Sequence, residues 1–225
     1  MKEIVNQIME SGYRAKIMPG VWFPVRSTIV FLSSGNALVI SPGPETAKIL
    51  SQSEKSFSKI FVVSPNAMHY AHVEGFCNAF PDAEFFCPKA TLKKIPKLAS
   101  KAKPIENLED LISTDIDIIR INGNSFLSET VFYHKMSSSL ITTDLCFNMK
   151  GKMNFATRSL LKMVGAYAKI GQSMLVKLST RDKKAYLESV AKLKNLPLAR
   201  VIVGHGDIIN KDKLNEFWSA LGLDK

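Results

Sequence analysis

The sequence has few cysteines and no long apolar run. Only three cysteines occur in 225 residues, and none belongs to a CxxC pair, so neither a disulfide framework nor a structural zinc knuckle is expected. No stretch of about 18 apolar residues is present, and residues 1–11 lack a continuous apolar segment. We therefore expect no membrane span and no secretory signal, and we predict a protein of the cytoplasm.

Glycine-rich nucleotide-binding motifs are also missing. Neither a GxGxxG pattern nor a P-loop occurs, which removes support for a nucleotide-cofactor fold. We find no internal repeat, low-complexity tract or linker, and a chain of 225 residues is long enough to bury one sizeable core. Residues 1–225 are therefore predicted to form a single domain.

Acidic residues are scarce in two segments. Residues 85–104 hold six lysines and no acid, and residues 150–184 hold nine basic residues with a single acid, Asp182, so the two segments more than account for the net charge of +10. Such a surface attracts anionic molecules, or it is simply a solvated helical face. Because the lysine run lacks interleaved aromatic residues, an anionic small-molecule substrate is favoured over nucleic acid as the partner.

Short predicted strands and helices alternate along both halves of the chain. Residues 27–32 and 37–40 predict a hairpin with a glycine turn, and Ser64-Pro65 is a typical start for a helix over residues 66–80. Two halves with mixed strand types favour an α/β protein built as a four-layer αββα sandwich over a doubly wound parallel sheet. The other predicted strands cover residues 59–63, 84–87, 117–121, 130–134, 140–143 and 200–203, and the other helices residues 45–52, 182–194 and 211–221.

The chain has only four histidines, and each lies at or just after the end of a predicted strand. They are His69, His72, His134 and His205, and Asp144 occupies the same kind of position, where binding groups gather in α/β proteins. His69 and His72 would share a face of the predicted helix. Imidazoles and carboxylates are common ligands of zinc, so these five residues are candidate metal ligands; buried structural histidines and a turn aspartate are the alternative interpretation.

The order of these motifs resembles the metallo-β-lactamase superfamily, and more narrowly an uncharacterised branch of it. Residues 30–43 are similar to its opening hairpin, and residues 63–70 (VSPNAMHY) occupy the place of its HxHxDH ligand loop. Residues 134–139 resemble its third histidine motif, 143–145 its bridging-aspartate motif, and 203–206 its last ligand motif. The resemblance implies a metallo-β-lactamase-like αββα fold and a metal site.

The ligand loop departs from the family pattern. The first two family histidines fall on Pro65 and Ala67, which offer no side-chain ligand, while His69 takes the position of the loop aspartate. The resemblance therefore implies at most one ion, zinc or iron, held by His69, Asp144 and His205, with His134 or His72 nearby. A vestigial site that holds no ion is the alternative.

The resemblance further implies a metal-dependent hydrolase. The metal would activate water for attack on an ester, thioester, amide or phosphoester, with Asp144 and His134 as the catalytic residues; His134 would complete the coordination or stabilise the developing oxyanion. Three other functions stay open: a non-catalytic binding protein, an iron-dependent oxidoreductase, and a nucleic-acid-processing enzyme whose binding would weaken steeply with salt.

The resemblance also implies that residues 154–178 form an inserted helical cover beside the site. The segment is rich in apolar residues at helical spacing, and Gly165 and Gly171 would permit bending. It also carries four basic residues and no acid. We hypothesise that some of these four point at an anionic substrate; an ordinary surface helix with its lysines in water is the alternative. The four basic residues are Arg158, Lys162, Lys169 and Lys177.

Overall fold

The structure of the protein is a computed structural model, and it describes residues 2–151 and 153–223. Its first sheet has seven strands in chain order, antiparallel from β1 to β4 and parallel from β4 to β7. These strands are β1 Lys2–Val5, β2 Ile8–Met18, β3 Val21–Phe31, β4 Ala37–Ile40, β5 Ile60–Val63, β6 Glu84–Cys87 and β7 Lys103–Pro104.

The second sheet has five strands in the order β14-β13-β10-β9-β8, and only the β10–β13 pair is parallel. Its strands are β8 Ile116–Arg120, β9 Thr130–His134, β10 Ser139–Ile141, β13 Arg200–Ile202 and β14 Ile209–Asn210. Between β10 and β13 in the chain, a separate two-stranded ladder joins β11 Phe147–Asn148 to β12 Ile170–Gly171.

The helices are short. They are α1 Thr46–Ser51, α2 Val73–Ala79, α3 Lys89–Leu92, α4 Glu109–Ile112, α5 Phe155–Met163, α6 Met174–Ser179, α7 Lys183–Leu193 and α8 Leu214–Ala220, and 3-10 turns cover Ile105–Leu108 and Lys211–Lys213. None of the helices in the described residues is long and apolar enough to cross a bilayer.

The alternation of side chains along each strand places three apolar layers on the two sheets. Along β3 and the residue after it, Val30 and Leu32 face the second sheet, while Ile29 and Phe31 face the helices of the first half. In the second sheet, Phe132 faces inward, while Val131 packs towards α7 and α8. The strands β4 and β5 are buried on both faces, which explains their continuous apolar runs. The predicted four-layer αββα sandwich is confirmed.

Two local expectations are corrected. The hairpin predicted from residue 27 is present, but its first strand begins at Val21 and pairs along its length with β2, giving a long N-terminal ribbon that the sequence patterns did not predict. The helix predicted over residues 66–80 begins only at Val73. It starts late because the side-chain oxygen of Asn66 accepts hydrogen bonds from the backbone N–H groups of Met68 and His69, which holds these residues in a turn.

Candidate metal centre

Three of the predicted site residues meet in space, each from a loop that follows a strand. His69 follows β5, Asp144 follows β10 and His205 follows β13. The strands β10 and β13 are parallel and in register at Ile141 and Ile202, so their carboxyl ends, and the loops after them, lie side by side. Such edges are where α/β sheets place their binding groups.

The side chains of these residues form a tight triangle. The Nε2 atom of His69 lies 3.2 Å from Nε2 of His205 and 3.3 Å from Oδ2 of Asp144. Nε2 of His205 lies 3.2 Å from Oδ1 of Asp144. One potential ligand atom from each residue lies within 4.8 Å of the others, as a shared ion would require.

Both imidazoles are fixed through their outer nitrogens. Nδ1 of His205 lies 2.8 Å from the carbonyl oxygen of Pro24, and since a carbonyl only accepts, this nitrogen donates. Nδ1 of His69 lies 2.6 Å from the hydroxyl of Ser41. Ser41 itself is buried and has a φ of 56°, an uncommon conformation for a residue other than glycine. Both rings therefore present Nε2 to the triangle.

This donor set fits a divalent metal ion. In neutral His205 the proton lies on Nδ1, so Nε2 has only a lone pair, and its 3.2 Å contact with the Asp144 carboxylate joins two acceptors. A cation between them removes that repulsion. Bonds of about 2.0–2.2 Å at tetrahedral angles separate ligand atoms by roughly 3.3–3.6 Å, close to the 3.2–3.3 Å found here.

A buried polar network, missed in the sequence patterns, holds Asp144. The amide of Asn66 donates to Oδ2 of Asp144 over 2.9 Å and also to the carboxylate of Glu129. Glu129 accepts from the backbone N–H and the hydroxyl of Thr143 over 2.8 Å, and from the N–H of Asp144 over 3.2 Å. Glu129 stands immediately before β9, and no sequence signal separates it from an ordinary surface acid.

The charged groups of this cluster shift one another's pKa values. Burial raises the pKa of Asp144, but His69 and His205 outweigh it and bring that pKa below its usual value. Burial lowers the pKa of His69, but the Asp144 carboxylate more than compensates and raises it. Burial and the nearby Asp144 raise the pKa of Glu129 to about 6. The carboxylate of Asp144 therefore stays ionised beside the two imidazoles.

Two glycines let the loops of the cluster touch through their backbones. A Cβ on Gly204 would lie 2.9 Å from Cα of Thr143, and one on Gly206 would lie 2.2 Å from the carbonyl oxygen of Asn148. Gly206 also has a φ of 94°, which side chains rarely permit. Arg26 fastens the same loop, because its guanidinium donates to the carbonyls of Val203 and Gly206.

The other two predicted ligands do not join the triangle. His134 ends β9, whereas Glu129 lies at the start of that strand, so His134 is at the far end of the sheet from the cluster; its Nδ1 lies 2.7 Å from the hydroxyl of Ser137. Its placement there corrects the expectation that it meets the metal ligands. His72 precedes α2 and packs edge-on against Tyr13, with ring centroids 5.2 Å apart. Burial lowers the pKa of His72.

The triangle forms part of the floor of a cavity of about 780 Å³. Its walls include residues of β2, β3 and the segment 154–178. That segment forms helix α5, the strand β12 and helix α6, and not one continuous helix. We call α5 to α6 the cover. Its contribution to the cavity wall includes Leu160, Leu161, Val164, Leu175 and Val176.

The basic residues of the cover do not line this cavity. Arg158 lies over the ring of Phe155 and Lys162 over the ring of Tyr167, while Lys169 and Lys177 line a separate depression. The hypothesis that they point at the substrate is therefore corrected. Among the described residues, the arginine and lysine side chains that line the cavity are Arg14 and Lys16, and both belong to β2.

Comparisons with known proteins give different results for the sequence and for the fold. No protein-family model and no curated protein sequence matches the chain. Solved structures match it closely in fold. The metallo-β-lactamase from Pontibacter korlensis matches with a TM-score of 0.63 at 15% identity, over 99% of this chain and 98% of that one. The enzyme from Erythrobacter litoralis matches with a TM-score of 0.65 at 9% identity, over 98% and 95%.

A third match is FIM-1 from Pseudomonas aeruginosa in its mono-zinc form, with a TM-score of 0.63 at 11% identity, covering 98% of this chain and 93% of that one. At such low identities the agreement establishes the fold. The chain has the metallo-β-lactamase fold, and the resemblance noted in its sequence is confirmed at that level.

Proposed function

We propose that this protein is a metal-dependent hydrolase that holds one transition-metal ion at His69, Asp144 and His205. The observation that carries the proposal is the triangle of facing nitrogen and carboxylate oxygen atoms, 3.2–3.3 Å apart, each of which can serve as a metal ligand. The solved structures with the same fold support it, since they include metallo-β-lactamases and one of them is a mono-zinc form.

The surrounding residues prepare the site for hydrolysis. When bound, zinc or iron supplies Lewis-acid activation of water and polarises a carbonyl or phosphoryl oxygen. Ser41 and the Pro24 carbonyl hold the two imidazoles with Nε2 inward, and Asn66 holds the Asp144 carboxylate. Such outer partners keep ligands oriented for an ion. The apolar cavity above them limits water and positions an ester, thioester, amide or phosphoester.

A second candidate is a non-catalytic binding protein with the same fold. Pro65 and Ala67 occupy the positions of the family's first two histidines, and the backbone N–H of Ala67 donates to the carbonyl of Leu127, an apolar neighbour that lines the cavity. A three-residue cluster walled by apolar groups also suits a binding site without an ion. The metal content of the native protein separates the two candidates.

The test is elemental analysis of protein purified without chelators. We expect about one equivalent of zinc or iron per chain, and activity on p-nitrophenyl esters, thioesters or phosphodiesters that a chelator abolishes and the metal restores. Iron with a visible absorption band would favour redox chemistry over hydrolysis. Two equivalents would contradict our interpretation of the ligand loop, and the absence of metal would favour the binding protein.

Matched variants locate the ion. Asp144→Asn and His205→Ala should each reduce the metal content to well below one equivalent, because each removes one of three ligands. His72→Gln is the control: His72 packs on Tyr13 at the cavity wall and lies outside the triangle, so this variant should keep its metal. Equal loss in His72→Gln would show that the assignment of ligands is wrong.

We also propose that the protein works in the cytoplasm. Its three cysteines are free thiols, and burial raises the pKa of Cys87 to about 11 and that of Cys146 to about 12, which keeps both protonated. Unpaired, unreactive thiols suit a reducing compartment. Fractionation of the native cells with antibody detection tests this.

A further inference from the structure

The cavity above the triangle is lined mainly by apolar side chains. Its volume of about 780 Å³ lies in the range of sites that enclose a whole organic ligand. The cover contributes aliphatic side chains, and the β2–β3 ribbon contributes Ile17, Trp22 and Phe23. Among the described residues that line it, Asp144 on the floor is the one acidic group. These walls favour a ligand with a large apolar group.

Apolar side chains continue from the cavity wall to the protein surface. Leu175 lines the cavity and is 52% exposed, and Phe126, on another loop, lines it and is 50% exposed. Ile17 and Met68 show the same combination. Side chains of this kind are costly to leave in water, and clusters of them mark sites for apolar ligands. The apolar group of the ligand therefore extends from the floor towards this rim.

The charge at the cavity favours an anion on the same ligand. Arg14 lines the cavity and makes no ion pair within residues 2–151 and 153–223. Arg14 lies opposite Pro24 in the pairing of β2 with β3, and the carbonyl of Pro24 accepts a hydrogen bond from His205. Arg14 is therefore a neighbour of the cluster. The ammonium of Lys16 lies 5.9 Å from the ring of Trp22. An anionic group near Arg14 would meet an unpaired cation.

We propose that the cavity binds an amphiphile with a long alkyl or acyl chain and an anionic head. The alkyl or acyl chain of the ligand lies against the cover and the β2–β3 ribbon, and its anionic head is close to Arg14. This inference rests on the proposed function only where it concerns hydrolysis, because the acyl bond to be hydrolysed would lie at His69, Asp144 and His205. The binding of the chain does not depend on the metal, so it can be tested separately.

The experiment titrates saturated fatty acids from octanoate to dodecanoate, below their micelle concentrations, against a Trp218→Phe variant. Trp22 lines the cavity and is then the only remaining tryptophan, so its fluorescence reports on binding. We expect saturation at one ligand per chain and roughly tenfold tighter binding for each two added methylenes. Repeating the titration in a His205→Ala background with chelator present removes any contribution of metal to binding.

Matched substitutions test the apolar wall. Leu175 and Leu178 lie on the same helix, but Leu178, which is 76% exposed, does not line the cavity. Leu175→Ser should weaken the binding of decanoate about fivefold to tenfold, and Leu178→Ser should leave it unchanged. Equal effects in the two variants, or affinity that does not change with chain length, would overturn the proposal.

A second pair tests the head group. Arg14→Gln should weaken the binding of decanoate about threefold, in keeping with an exposed ion pair, and should leave the binding of decanol unchanged. The control is Lys162→Gln, because Lys162 is a basic residue of the cover that lies outside the cavity wall. This variant should bind both ligands as the native protein does. Decyltrimethylammonium should bind more weakly than decanoate, and the reverse would contradict the anionic head. If the protein instead dimerises at micromolar concentration and binds no fatty acid, the proposal is overturned, and the exposed apolar rim is an interface between two copies of the protein.

The test of fatty-acid binding and the test of metal content can succeed or fail independently of each other. If the native protein contains no metal but binds fatty acids as described, the hydrolase proposal fails and this inference stands. If metal is present but no fatty acid binds, this inference fails alone.

Discussion

The floor and the cover of the cavity are built in opposite ways. On the floor, Asp144 and Glu129 are buried and hydrogen-bonded to neighbouring side chains and backbone, and the loops of the cluster touch through Gly204 and Gly206. The cover packs a small core around Leu161 and leaves large apolar side chains in water, with Phe155 75% exposed. The floor is held by a buried network of charged and polar groups, whereas the cover is held by a small apolar core and by neutral hydrogen bonds such as those of Asn124 with Val176 and of Gln172 with Tyr186.

For the proposed hydrolase, this difference would assign the reaction to the floor and the binding of the ligand to the cover. A group that must hold an ion needs its ligands fixed to within a few tenths of an ångström, which requires support from residues behind them. A wall that accepts a flexible apolar chain needs area and tolerates looser packing. Substitutions on the floor should therefore be costly wherever they fall, while those at exposed positions of the cover should matter only where they face the cavity.

The largest effect is expected where the backbone itself closes the floor. In Gly206→Ala, the new Cβ would collide with the carbonyl of Asn148, and alanine would have to adopt a φ of 94°. We expect a loss of about 3 kcal/mol or more in the free energy of unfolding, together with loss of the metal. Denaturant unfolding and elemental analysis measure both.

Gly75→Ala provides the control for that substitution. Gly75 lies inside α2, and a Cβ there meets no atom within 4 Å. Alanine should raise the stability by roughly 0.5–1 kcal/mol, as is usual for glycine replaced within a helix. If Gly206→Ala were as harmless as Gly75→Ala, the floor would not be constrained by its backbone contacts.

A smaller effect is expected for Glu129→Gln, which keeps the shape of the side chain and changes its hydrogen bonding. Glu129 accepts from Thr143, Asn66 and the N–H of Asp144, and a glutamine amide would direct N–H groups at some of these donors. We expect metal affinity to fall by about 10–100-fold, as for other residues that support metal ligands. Competition with a chromogenic chelator measures this affinity.

The control for Glu129→Gln is Glu74→Gln. Glu74 forms an exposed ion pair with Lys97 on the surface of α2, and exposed pairs contribute little. Its replacement should leave the metal affinity unchanged. An unchanged affinity in Glu129→Gln as well would remove Glu129 from the support of Asp144.

The same contrast explains how much of the molecule could be predicted from its sequence. The buried strands 60–63 and 130–134 were predicted to within one residue, because each contains an uninterrupted apolar run, over residues 60–63 and 131–133, as is typical of strands covered on both faces. The N-terminal ribbon escaped prediction, since β2 mixes polar and apolar residues and its register depends on β3. The helix start at residue 66 was wrong because the side chain of Asn66 competes with the backbone.

The candidate site was predicted in part for the same reason. His69, Asp144 and His205 could be proposed because each follows a strand and matches a motif order. His134 was expected with them because it also ends a strand, but a strand has two ends and only one reaches the cluster. Nothing local to Glu129 or Asn66 indicates that they meet; they are 63 residues apart and are joined only by the tertiary fold.

The smallest effect is expected on the outer face of the cover. Phe155 and Met163 begin and end α5, are 75% and 74% exposed, and do not line the cavity. Replacing both by serine removes little buried area, so the free energy of unfolding should change by less than about 0.5 kcal/mol, or roughly 1–2 °C in the melting temperature. Scanning calorimetry at two protein concentrations measures this, with fatty-acid binding as a second readout that should not change. If the melting temperature instead fell by more than about 4 °C, and fell further at the higher protein concentration, this face would be buried against another molecule. The cover would then form part of an interface.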